Sequence, residues 1–259
     1  MALYAAHLYN SKLLVGTIRA KLTAIGWHHK INNHPDPTKD FLITRLLMGI
    51  KKAQATPVHQ VAPLSHNILM VVVDSLMGFA KNPYLHAMLR AAFLLAYHGA
   101  LRVGEFAKST HTNHTLSIDN VSFLHSTHGT SVSIRLHSFK HSNIGASFII
   151  DQQRSAKHCP VQALKNYLKL RPICGGPLFI SLDKRPLDRK LIAKALKATL
   201  SLNGYNPDSY NTHSFRVGKA SDMAIAGVPE AVIRKAGRWT TDAFKQYIRW
   251  SIFTMPTTN

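Results

Sequence analysis

The chain has 259 residues, 46% of them hydrophobic, enough to fill a core in one large domain or in a small domain plus a medium one. Thirty-two Lys and Arg face twelve Asp and Glu, and the resulting formal net charge of +20 repels itself unless a polyanion neutralises it, which makes nucleic acid the leading partner. The excess of basic residues holds both before and after residue 75, which excludes a basic tail appended to a neutral enzyme.

Cys159 and Cys174 are too few for a disulfide framework and lack a zinc-ligand spacing; a reducing compartment is the simpler reading, with a single disulfide left open. Among the sixteen histidines, His111, His114, His125 and His128 cluster in a Ser/Thr/Asn-rich stretch with no Cys or carboxylate at ligand spacing, so no metal is expected. No apolar run has the length to span a bilayer, and the N-terminus does not read as a secretory leader, so a membrane role is not expected.

From Met1 to about Leu76 the pattern is helices joined by polar turns. Apolar residues at helical spacing (Leu3, Ala6, Leu13, Leu14, Ile18, Leu22, Ile25) stop at Gly26, ahead of a break at Asn32 to Lys39. A second helix is expected from about Asp40 to Ala53, with Phe41, Ile43, Leu46, Leu47 and Ile50 on one face. Gln54 to Ser65, with Pro57 and Pro63, approaches a linker, and a helix from about Ser65 to Phe79 closes the small domain or crosses to the next.

Beyond Asn82 the pattern turns to helix, then strands, then helices. Pro83 to His98 reads as an apolar helix ending at Gly99, with a short restart around Leu101. Leu116–Ile118, Ser131–Leu136 and Ser147–Ile150 read as three short antiparallel strands. Helices follow from Pro160, from Asp188 to Leu200, from Thr212 or Ser214 to Gly227, from Pro229, and from Thr240 or Thr241. The expected fold is mainly α with a small antiparallel sheet, divided into a helical domain over 1–76 and a mixed domain over 77–259.

Three short patterns carry chemistry. Arg102 and Glu105 stand three apart just after the helix break and share a helical face, which by itself reads as a surface ion pair. His213 and Arg216 stand three apart in a first helical turn, where free backbone N–H groups and a partial positive charge favour a phosphate. Arginine adds a rigid fork for two phosphate oxygens, and histidine can donate or shuttle a proton. Last comes Gly237-Arg238-Trp239-Thr240, followed by an amphipathic stretch, Phe244 to Trp250, that contains Tyr247.

An Arg with Glu three residues on, a lysine in a strand turn, His-x-x-Arg, a Gly-(His or Trp) motif and a tyrosine about nine residues later, in that order, resemble the tyrosine recombinases and phage-type integrases. The resemblance extends over essentially the whole chain, from a helical SAM-like core-binding part to a catalytic part. It implies that Arg102 and Arg216 bind the scissile phosphate and that Glu105 supports the local structure. It also implies that His213 assists proton movement and that Lys140, in Leu136 to Ser142, is the general acid for the departing 5′ oxygen, with His141 and Arg135 its nearest rivals. Tyr247 becomes the nucleophile, and neither cofactor nor metal is required. At the position nine before Tyr247 the family usually has histidine or sometimes tryptophan. Arg238 stands there and Trp239 one residue later; the neutral indole donor favours Trp239, with Arg238 the alternative as a third phosphate contact.

Within the family the wording from Gly237 to Arg249 looks most like recombinases of eukaryotic DIRS-type and crypton-like elements. That implies a nuclear enzyme (cytoplasmic if the source is not eukaryotic) acting on double-stranded DNA as a homotetramer. Lys51 and Lys52, Lys184 and Arg185, and Arg189 and Lys190 are candidate backbone contacts. The N-terminal part is short for such a protein, so the chain reads as a fragment or a divergent domesticated copy. A type IB topoisomerase and a catalytically inactive DNA-binding derivative are the alternatives.

Overall fold

The computed structural model describes residues 1–54, 61–108, 115–127, 129–137, 145–239 and 241–248, except for the side chains of Ala243 and Tyr247. It divides into two compact units, Met1–His59 and Gln60–Asn259.

Among the described residues the first unit has three helices, α1 (Ala2–Asn10), α2 (Val15–Ile31) and α3 (Phe41–Ala53), with a 3-10 turn at Pro37–Lys39. Ala5, Leu8, Ile18, Leu22, Ile43 and Ile50 form its core. The Asp40 carboxylate caps α3 by accepting from the Leu42 N–H at 2.7 Å. Gly26 does not end its helix as the sequence suggested. It lies inside α2, where a Cβ would come within 2.6 Å of the Asp36 carboxylate, so its small size serves the crossing of the 36–38 turn.

The second unit holds the larger core. It begins well before residue 76, the boundary expected from the sequence. The reason is burial: α4 (His66–Asp74) and α5 (Leu76–Phe79) place Leu69, Val72, Val73 and Leu76, all 0% exposed, in the same core as α6 (Pro83–His98). A short helix α7 (Val103–Phe106) leads to three antiparallel strands in the order β1 (Val121–Ser126), β2 (Gly129–Leu136), β3 (Ala146–Asp151). Register pairs Phe123 with Val132 and Ile134 with Phe148, and Val132, Ile134, Leu136 and Ile150 are buried in the core.

The strand expected at Leu116–Ile118 is instead a connection. The Leu116 N–H donates to the Glu105 carbonyl at 2.8 Å and its carbonyl accepts from Leu178, while Ile118 opens a 3-10 turn capped by Ser117. The first strand lies a few residues later, where Val121 and Phe123 pack on the core while Ser122 and Leu124 face outward. Four more helices, α8 (Pro160–Leu170), α9 (Arg189–Leu202), α10 (Ser214–Ile225) and α11 (Glu230–Gly237), follow among the described residues. Cys159 is buried and its sulfur accepts from the Gln162 N–H at the start of α8, and both cysteines are free thiols. The amphipathic helix expected around Tyr247 is a 3-10 segment, Asp242–Tyr247. No helix among the described residues is long and apolar enough to cross a membrane.

Candidate active site

The C-terminus of α6 and the C-terminus of α11 end in the same way. At α6 the Ala100 N–H donates to the Tyr97 carbonyl and the Leu101 N–H to that of Ala96. At α11 the Arg238 N–H donates to Lys235 and the Trp239 N–H to Arg234. Both are Schellman ends, which call for a left-handed residue and usually take glycine. Here the left-handed residues are Ala100, with φ 44°, and Arg238, with φ 55°. The glycine stands one position earlier in each case, for a different reason. A Cβ on Gly99 would lie 2.9 Å from the Phe148 ring and 3.0 Å from the Leu95 carbonyl, and one on Gly237 would lie 1.6 Å from the Trp239 ring.

Around these two ends sit the arginines. Arg102 is the N-cap of α7, and the Glu105 carboxylate reaches back to accept from the Arg102 backbone N–H at 3.0 Å and from its Nη1 at 3.1 Å. Glu105 is 3% exposed and Arg102 23%, so this is no solvated surface pair but a buried carboxylate holding a guanidinium that still reaches solvent. The same carboxylate accepts from Arg238 Nη2 at 2.8 Å.

Arg216, on the first turn of α10, is 0% exposed. It donates through Nη1 to the Ala100 carbonyl at 2.6 Å and through Nη2 to the Gly237 carbonyl, so one guanidinium holds the negative ends of α6 and α11 together. Its face lies over the Trp239 ring at 4.2 Å, and Trp239 in turn packs with Ala220, Ala224, Ile233 and Phe244. His213 is the N-cap of α10 and half-buried; its backbone N–H donates to the Asn211 side chain at 2.7 Å.

Arg102, Glu105, Arg216, Arg238 and Trp239, expected from separate motifs, therefore meet at one place. Lys140 and its rival His141 lie outside the described residues, as does the side chain of Tyr247. Arg135 is exposed on β2. The pairs Lys51–Lys52, Lys184–Arg185 and Arg189–Lys190 are exposed, with Arg185 bonded to Asp183. Of the four clustered histidines, His125 lies on β1 and the other three are outside the described residues.

A feature that sequence motifs did not reveal adjoins the site. Tyr97 donates its hydroxyl to Asp222, which also accepts from the His66 backbone N–H at 2.7 Å, and Lys219 lies over the Tyr97 ring at 5.6 Å. Burial, with Lys219 and His66 nearby, holds the His98 imidazole down at about 3. Burial also lowers Lys219 and Arg238, in each case against the pull of a carboxylate, Asp222 and Glu105 respectively. No motif spacing links these residues, which come from α4, α6 and α10.

Mostly helical, with a three-stranded antiparallel sheet, the second unit has the fold of tyrosine recombinase catalytic domains. The phage integrase family matches residues 67–249, and the chain belongs to that family. An integrase/recombinase of Selenomonas ruminantium, a XerD homolog, is 23% identical over an alignment of 232 residues that covers 86% of this chain and 64% of that relative. The chain thus spans less than two thirds of the relative's length. Among solved structures, the Tn1549 transposon integrase in complex with circular intermediate DNA is similar at a TM-score of 0.60, covering 97% of this chain and 80% of that one at 14% identity. The XerH site-specific recombinase bound to palindromic difH substrate, in a post-cleavage complex, is similar at 0.57, covering 73% and 49% at 14% identity. At these identities the likeness is one of fold.

Proposed function

We propose that the protein cleaves and rejoins DNA strands through a 3′-phosphotyrosine intermediate. The observation that carries this reading is the meeting of Arg102, Glu105 and Arg216 at the joined ends of α6 and α11, in a member of the phage integrase family. In the proposed reaction Tyr247 Oη attacks the scissile phosphorus. The new O–P bond forms as the bond to the 5′ oxygen breaks. Arg102 and Arg216 neutralise the charge gathering on the non-bridging oxygens, His213 assists proton movement, and Lys140 protonates the departing 5′ oxygen. Arg102 already presents its guanidinium to solvent, whereas Arg216 is sealed, so the reading requires Arg216 to exchange one carbonyl partner for a phosphate oxygen when DNA is clamped. Trp239, stacked beneath Arg216, acts through that arginine. The energy of the broken bond is conserved in the phosphotyrosine for rejoining, with no external cofactor.

The net charge of +20 supports double-stranded DNA as the partner. The first unit, with exposed Lys51 and Lys52, is proposed to serve as a SAM-like core-binding domain. The wording of residues 237–249 supports integration of a mobile element of DIRS or crypton type, by a homotetramer in the nucleus. The test incubates the protein with nicked suicide duplexes carrying ends of candidate elements and looks for a covalent adduct on a denaturing gel. An adduct from the native protein that vanishes in Tyr247→Phe supports the reading. An adduct that persists in that variant overturns the assignment of the nucleophile, and no adduct on any candidate end overturns catalysis.

A further inference from the structure

We infer that Arg238 is a positioning residue, tying the end of α6 to the end of α11 and so setting the placement of Arg102 relative to Arg216, rather than a third contact to the phosphate. The inference rests on the strand-transfer reading of this site and deepens it.

The geometry is specific to this side chain. Arg238 adopts a left-handed backbone conformation in which a side chain is strained, and the turn aims the guanidinium inward, leaving it 6% exposed. Nη1 donates to the Gly99 carbonyl at 3.0 Å, and Nη2 donates to the Ala100 carbonyl at 3.2 Å and to Glu105 at 2.8 Å. Two of these acceptors are shared. The Ala100 carbonyl also holds Arg216, at 2.6 Å, and the Glu105 carboxylate also holds Arg102, at 3.1 Å. Arg238 therefore touches one anchor of each phosphate-binding candidate while presenting almost no surface of its own. Its ring contact with Phe148, 5.0 Å from the guanidinium carbon to the ring centroid, adds the sheet to the same junction. Both terminal nitrogens of Arg238 are bonded to Gly99, Ala100 and Glu105, and turning them to a phosphate would loosen the anchors of Arg216 and Arg102 at once. Lysine at this position would keep the charge, but one ammonium lacks the planar fork that spans a carboxylate on one side and two carbonyls on the other.

The test measures single-turnover cleavage of a suicide duplex at saturating DNA for the native protein, Arg238→Lys, Arg238→Ala, Glu105→Gln and the Arg238→Ala/Glu105→Gln double variant. DNA affinity and melting temperature are measured in parallel. Arg238→Ala is expected to cut about 100-fold more slowly with DNA affinity little changed, the loss that misplacement by about 1 Å produces. Arg238→Lys, the variant chosen to preserve folding, is expected to lose about 10-fold. The double variant should be no worse than about threefold below the slower single one, because both changes break the same junction. Multiplying losses, or weakened DNA affinity at an unchanged maximal rate, would overturn the inference in favour of an independent phosphate contact. Arginine modification by phenylglyoxal, mapped by mass spectrometry on the same proteins without DNA, separates the two levels of the account. Arg216 should react several-fold faster in either Arg238 variant, and an unchanged rate overturns positioning. Absence of any adduct from the native protein overturns the strand-transfer reading alone.

Discussion

Gly218 lies on α10 two residues past Arg216, and its replacement by alanine sets two physical effects against each other. Helix propensity alone stabilises such a change by about 1 kcal/mol. Packing opposes it, because a Cβ at Gly218 would lie 1.9 Å from the Leu64 carbonyl oxygen and 2.5 Å from its carbon. Reaching a tolerable 3.4 Å requires a shift of roughly 1.5 Å, and no side chain can rotate away because the obstacle is backbone. The segment is pinned at that point: the Leu64 N–H donates to the Ser214 carbonyl at 3.0 Å, the Ala62 N–H donates to Ser209 at 2.8 Å, and Leu64 is 0% exposed. A strained hydrogen bond costs about 1 kcal/mol and overpacking about 1–3 kcal/mol, so after the propensity gain of about 1 kcal/mol the net loss is about 1–3 kcal/mol. Urea unfolding followed by circular dichroism measures it, and the melting temperature should fall by about 2–12 °C. Unchanged or raised stability, the result propensity alone gives, would refute the close approach of α10 to residues 62–64.

The two Schellman ends make a paired prediction. Ala100→Gly should raise stability by about 0.5–1 kcal/mol by relieving the left-handed strain, whereas Gly99→Ala should lower it, and thermal melts that reverse this order would contradict the assignment of the turn. Tyr97→Phe leaves Asp222 without its hydroxyl donor and should cost about 1–2 kcal/mol in urea unfolding; no change would mean that this bond contributes nothing. The His98 imidazole, held at about 3 against an ordinary 6.5, binds fewer protons folded than unfolded. Its contribution is therefore complete above pH 6.5 and is lost as pH falls towards 3, by about 2–3 kcal/mol at pH 4.5. His98→Asn should remove most of that slope, and a variant with the native slope would show that the proton is bound elsewhere. Gly237→Ala must displace the Trp239 ring from beneath Arg216, and should quench or shift the tryptophan fluorescence and slow cleavage together; a native spectrum would count against the stacking.

Features written in neighbouring residues were legible in the sequence. Asn82 with Pro83, Asp188, Asp40 and Ser65 each cap the helix expected from them, because a cap is a bond between a side chain and a backbone two or three residues on. The Arg102–Glu105 spacing likewise led to a real pair, although its burial did not follow from spacing. Long-range demands were not legible. Gly99 looked like a helix stop and Gly237 like part of a motif, yet their role is to admit Phe148 and Trp239, and the left-handed positions fell to Ala100 and Arg238. The choice posed at residues 238 and 239 also turns on distance along the chain, since Arg238 meets a carboxylate 133 residues earlier. The place of α4 and α5 in the larger core depended on Leu69, Val72, Val73 and Leu76 finding α6, which an apolar face alone does not specify.

The most direct test of strand transfer by Tyr247 is to trap the reaction on a suicide duplex, digest protein and DNA, and sequence the modified peptide by mass spectrometry. Trypsin cleavage after Lys245 and Arg249 yields Gln246–Arg249, and the account predicts a nucleotide joined through its 3′ phosphate to Tyr247 in that peptide. A nucleotide on any other residue, or an unmodified peptide when the strand has been cut, would contradict it.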